Sequence, residues 1–151
     1  MDVRGRPRAG AVGREATTPC GRAVTLELEV LPGAYAVCRL GPQAPVPPPL
    51  LAAAFVAIVR TSDELSIVCP EIVAPADARC ERGWRCLRVV GNLPFEATGI
   101  LASLAAPLAE ARIPIFAIST FDTDYLLVKV ARLEQALRVL EATGHTIHRP
   151  R

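Results

Sequence analysis

The sequence predicts an α+β fold of antiparallel sheets backed by helices, arranged as two units of which the first is the smaller. Three observations carry this expectation. Residues 25–30 alternate Leu and Glu, the two-residue period of a half-buried strand. Beyond residue 84 the chain reads strand, helix, strand, strand, helix, strand, the split βαβ order of ferredoxin-like folds. Both helical segments in that order carry an apolar stripe: Ile100, Leu104, Leu108 and Ala111 in one, Leu133, Ala136, Leu137 and Leu140 in the other.

The first unit is expected over residues 23–78. Ordered structure starts near Val24. The strand at 25–30 meets a turn signal at Leu31-Pro32-Gly33, and 35–40 is a second strand, so the two are expected to pair as a hairpin. Residues 41–49 hold five prolines and read as loop. A short helix is expected at 50–54, with Pro49 at its start. Strands follow at 55–60 and 65–69, the second stopped by Pro70. Residues 71–83, with Pro75 and little periodicity, read as the connection between the units.

The second unit is expected over 79–151. Its elements are a strand at 84–90, a helix at 98–111, strands at 114–120 and 125–130 around a tight turn, a helix at 133–143 and a strand at 145–148. Pro107 lies inside the first helix and frees the Ser103 carbonyl, so a kink or loose turn is expected there. Glu134 is placed to pair with Arg138, and Gly144 suits the residue just past the helix end.

Composition narrows the function classes. The chain has 151 residues, 51% of them hydrophobic, enough for one ordinary domain or two very small ones with a real core. Apolar runs such as 50–59 fall well short of the ~20 residues of a membrane-spanning helix, and no secretory hydrophobic region follows Met1. A cytoplasmic protein without a membrane partner is expected. Residues 1–22 hold five arginines against Asp2 and Glu15. They lack aromatics and helical period, so they read as a disordered basic leader and not as a nucleic-acid-binding arm. The five cysteines, Cys20, Cys38, Cys69, Cys80 and Cys86, are odd in number and form no C-x-x-C pair. Neither a disulfide framework nor a zinc site is suggested, and reduced structural thiols are expected.

Enzymatic patterns are missing. The only histidines, His145 and His148, fall on opposite faces of a short strand and read as exposed polar residues, a poor pair for a metal. There is no nucleophile elbow, P-loop, zincin or dinucleotide motif. Asp122 and Asp124 resemble a carboxylate pair, but a turn favours aspartate in any case. No catalytic residue, metal or cofactor is therefore assigned.

A free amino acid is a better fit. Its carboxylate requires converging N–H donors, which a helix start provides with a favourable dipole. Its ammonium requires a carboxylate or carbonyls. Phe95-Glu96-Ala97-Thr98-Gly99-Ile100 offers the first, with Thr98 as cap and Gly99 allowing close approach. The turn at 120–124 offers the second through Asp124. On residue types alone, Gly99 could equally serve helix–sheet packing and Asp124 could cap the turn.

Four ordered motifs then carry a resemblance. Leu65-Ser66-Ile67-Val68-Cys69-Pro70-Glu71, Gly83 to Gly91, Leu93-Pro94-Phe95-Glu96 with Thr98 to Leu101, and Ile118-Ser119-Thr120-Phe121-Asp122-Thr123-Asp124-Tyr125 together resemble small bacterial proteins with tandem ACT domains. The same ACT type is similar to the repeats of cytosolic arginine sensors. The resemblance spans residues 24–148 and implies two ACT-like units with a free amino acid held between them. It implies Ser66 and Ile67 on the first unit's side, Thr98, Gly99 and Ile100 at the helix start with Glu96 as a further wall residue, and Thr120, Phe121, Thr123 and Asp124 on the facing loop. Arg112 in place of a helix-ending glycine, Val130-Ala131 before the last helix and Asn92 in the loop depart from the pattern. The expected role is a regulatory or sensor module with no activity of its own, whose sheet edges allow a homodimer. The alternative is a structural or oligomerisation module without ligand.

Overall fold

The computed structural model describes residues 23–150. The expected basic leader at 1–22, Cys20 included, lies outside the described residues. Eight strands form one hydrogen-bonded sheet: β1 Glu27–Val30, β2 Tyr35–Leu40, β3 Ala57–Arg60, β4 Leu65–Pro70, β5 Arg79–Val89, β6 Ile115–Ser119, β7 Asp124–Lys129 and β8 Thr146–His148. Two helices, α1 Ile100–Glu110 and α2 Leu133–Ala142, cover part of it. This is the mixed α+β architecture expected, with a fuller C-terminal unit and a reduced N-terminal one. The short helix expected near residue 50 is a 3-10 turn, Pro48–Ala52.

The long strand β5 joins the two halves. Its first part pairs with β2, which pairs with β4, which pairs with β3. Its second part is flanked by β1 on one edge and β7 on the other, with β6 beyond β7 and β8 beyond β1. The expected β1–β2 hairpin does not form. Val30 faces Leu87 and Tyr35 faces Trp84, so β1 and β2 run one after the other along the same edge of β5, with 31–34 looping out between them. Gly33 supplies the positive φ of that loop. A division of the chain at 78/79 leaves β1 with the first unit in sequence, whereas in space it lies in the second unit's sheet. Residues 79–83, expected as connection, are strand.

Alternation along β5 sorts its side chains between layers. Leu87 and Val89 point to the helices, where they join Leu28, Val30, Leu104, Leu108, Leu126, Val128, Leu137 and Leu140. Trp84 and Cys86 point the other way, into a core shared by the two halves with Tyr35, Val68, Phe116 and Leu127. There Phe55 packs edge-on against Tyr35 at 5.7 Å and lies 4.8 Å from Tyr125. A third core, built on Leu50, Leu65, Ile67 and Cys69, backs the first unit.

The cysteine expectation is corrected at two positions. Cys38 and Cys80 face each other across β2 and β5 and form a disulfide, with Cα atoms 4.0 Å apart. Their separation of 42 residues in sequence hid a pairing that only the strand register creates. Cys69 and Cys86 are free and buried. Burial pushes the Cys86 thiol up to about 12 and also raises that of Cys69.

His145 is a second correction. It is 5% exposed, not a surface residue. The Leu26 N–H donates to its Nδ1 at 3.1 Å, so Nε2 carries the proton and donates to the Ser103 carbonyl at 3.2 Å. That carbonyl is the one Pro107 frees, and α1 runs on through the proline. Glu134 meets Arg149 at 2.9 Å rather than Arg138.

Candidate functional site

Two loops at one end of the C-terminal half face each other. The first leads from β5 into α1, and the second is the turn between β6 and β7. Backbone and side-chain bonds fix both. Leu93 N–H donates to the Asp122 carbonyl at 2.7 Å, tying loop to loop. Thr123, 7% exposed, donates its hydroxyl to the Val89 carbonyl at 2.7 Å. Thr120 closes the turn on itself, its N–H and hydroxyl both donating to the Thr123 carbonyl at 2.9 Å. The turn is thus held by its own threonines and by the end of β5, a rigid mount for what it presents.

Between the loops lies a cavity of about 370 Å³, lined on one side by residues from Leu93 to Ala102 and on the other by Ser119 to Asp124. Gly99 enters α1 with φ +79°. No side chain caps the helix, so the first N–H groups, from Ile100 to Ala102, stay available at the cavity wall. Asp124 stands opposite, held by Ser119, whose hydroxyl donates to its Oδ1 at 2.6 Å. Phe95 and Phe121 meet edge to face at 4.9 Å and are 74% and 78% exposed, two aromatic rings flanking the opening. A helix dipole with free donors at one wall and a carboxylate at the other suits a small zwitterion.

The expected site residues divide in their placement. Gly99, Ile100, Thr120, Phe121, Thr123 and Asp124 line the cavity together. Glu96 and Thr98 do not line it, and Thr98 does not cap α1, because Gly99 takes the position before the helix. Ser66 lines a neighbouring groove of about 250 Å³ between β3–β4 and β6, which shares Ser119 with the cavity. Ile67 points away, fully buried in the core behind the first unit. Alternation explains this, since adjacent strand residues face opposite sides. Sequence reasoning missed Ser119 and Asp122 as wall residues. Pairing Ser119 with Asp124 across the turn, the register observed, would have found the first. Among the described residues no group of His, Cys, Asp or Glu side chains could hold a metal ion, and no helix is long and apolar enough to cross a membrane.

Comparison with known proteins places the fold. A family model described as an ACT domain matches residues 79–142, and a second, described as an N-terminal domain, matches 33–77. The crystal structure of protein Atu0741 from Agrobacterium tumefaciens is 39% identical, covers 85% of this chain and 96% of its own, and superposes with a TM-score of 0.80. The human cytosolic arginine sensor for mTORC1 subunit 1 is 41% identical over 59 residues. Those residues are 38% of this chain and only 18% of that sensor's length. The ligand-free regulatory subunit of aspartate kinase from Thermus thermophilus shares the fold alone, at 11% identity and a TM-score of 0.51 over 74% of this chain and 93% of its own. By its ACT match over β5 to α2 and its nearly full-length likeness to Atu0741, the chain belongs to the ACT-domain family.

Proposed function

We propose that this protein is a regulatory module that binds a free amino acid in the cavity between α1 and the β6–β7 turn. One observation carries the reading: an uncapped helix start faces a held carboxylate across a cavity of about 370 Å³. The α-carboxylate of the ligand is received by the N–H groups from Ile100 to Ala102, and its ammonium by the free oxygen of Asp124. The human relative is named a sensor, which fits a protein without catalysis of its own. A cytoplasmic location accords with the ligand, a free metabolite. Self-association through exposed sheet edges is compatible with it, and neither nucleic acid nor a membrane is needed.

Arginine heads the ligand panel. The human relative is named an arginine sensor, and Asp122 lines the same cavity, a second carboxylate for a cationic side chain. The test is thermal denaturation with each of the twenty amino acids at about 1 mM. A ligand a hundredfold above its Kd stabilises by about 2.7 kcal/mol, which raises Tm by several degrees. A flat panel rejects the reading in favour of a structural module. Asp124→Asn is expected to weaken binding by about 30-fold or more, since it removes the charge that partners the ammonium. Unchanged affinity would exclude Asp124 as the ammonium partner.

A further inference from the structure

We infer that Cys38 and Cys80 form a reversible thiol–disulfide clasp that fastens the N-terminal half to β5. The inference is independent of what the cavity binds. It rests on where the pair sits. β2 is the strand through which β4 and β3 reach β5, so the β2–β5 ladder carries the hydrogen-bonded attachment of the first half. That ladder is irregular. It is interrupted by a bulge between Tyr35 and Val37, opposite which Gly83 adopts φ +74°. Past the bulge the pairs are Val37 with Glu81, Cys38 with Cys80, and Arg39 with Arg79. The last sets two guanidinium side chains directly opposite one another, an unfavourable pairing. Arg39 turns instead to Glu64 in the loop before β4, at 3.0 Å. The covalent bond is therefore the strong element in this stretch.

Access favours exchange at one sulfur. Cys38 is 1% exposed, whereas Cys80 is only half-buried on the outer part of β5. An incoming small-molecule thiolate attacks the Cys80 sulfur, forms a mixed disulfide with it, and expels Cys38 as a thiolate that takes up a proton. A second thiolate then attacks the incoming sulfur and releases Cys80, which is protonated in turn. The net change is one protein disulfide reduced to two thiols, and two small thiols oxidised to one disulfide. Cys69 and Cys86 stay out of the exchange, buried and with thiols held protonated by desolvation.

The experiment equilibrates the full chain in a series of glutathione redox buffers, followed by acid quench, alkylation and peptide mass mapping of Cys38 and Cys80. Both cysteines are expected to change state together in one reversible transition. The reduced form should melt about 10 °C lower, the scale for a closed loop of this length in a chain of this size. Hydrogen exchange in β2 and β4 should rise on reduction while that in α2 stays unchanged. The double variant Cys38→Ser/Cys80→Ser, or Cys80→Ser alone if the double fails to fold, should lose all redox dependence of Tm. A bond that survives every buffer, thiols that stay free in every buffer, an equal Tm in both states, or redox dependence that persists in the variants would each overturn the inference.

Discussion

At the scale of single residues, two positions, one through its side chain and one through its backbone, complete what their neighbours leave open. His145 joins three segments: the Leu26 amide ahead of β1, the Ser103 carbonyl in α1 and its own loop after α2. His145→Leu keeps the bulk but strands a buried donor and a buried acceptor. A loss of about 2–4 kcal/mol is expected in urea denaturation, and a loss under half of one would show that neighbours or water replace the ring. Arg112 is the other. It is the one non-glycine residue with positive φ, at +56°, among the described residues. It closes α1 as a glycine would, with the Ile113 N–H reaching back to the Leu108 carbonyl at 2.9 Å. The left-handed conformation disfavours any residue with a Cβ, so Arg112→Gly should stabilise by about 1 kcal/mol. A destabilised variant would mean that the arginine side chain contributes more than its backbone strain costs.

At the scale of elements, α1 shows how a proline is accommodated. Pro107 cannot donate to the Ser103 carbonyl, and His145 does so in its place. The two positions should therefore be coupled. In a Pro107→Ala background the carbonyl regains a backbone partner, and His145→Leu should cost about 1 kcal/mol less than in the native chain. A double-mutant cycle that closes to zero would refute the substitution of one donor for the other. The helices were legible because their stripes are local: Leu104 and Leu108, and Leu133, Ala136, Leu137 and Leu140, are buried as their spacing demanded. The strands existed where alternation placed them, but their partners were not legible. A turn signal at 31–33 reads as a hairpin because nothing local says that the partner of β1 is β5, much further along the chain. The disulfide was hidden for the same reason. In the candidate site the Asp124 wall and the Gly99 helix start were readable from residue chemistry. Ser66 and Ile67 cannot share one wall, because adjacent strand residues face opposite sides, and Ile67 takes the core side.

At the scale of the molecule, three cores are stacked around one continuous sheet, and β5 contributes to the two that matter for the site. The ACT match begins at Arg79, yet the C-terminal half is not complete from there. β1 is inserted between β5 and β8, pairing antiparallel with one and parallel with the other. It also supplies Leu28 and Val30, 1% and 3% exposed, to the core beneath the helices. Burying two such side chains is worth about 3–6 kcal/mol, and a unit of some seventy residues rarely holds more than about 3–5 kcal/mol in all. The fragment 79–150 is thus expected not to fold alone, giving collapsed NMR dispersion and no cooperative melt. A peptide of residues 23–31 added in trans should restore both by refilling the gap, and should order β8 through the Thr146 amide, which donates to the Leu26 carbonyl at 2.9 Å. The same peptide with Leu28→Asp should fail, because the pairing groups remain but the core contact becomes a buried charge. Should the fragment alone melt cooperatively at the temperature of the full chain, β1 would be an accessory strand. The cavity wall at Gly99, where Val24 lies within contact distance of an added Cβ at 3.9 Å, would then stand without it.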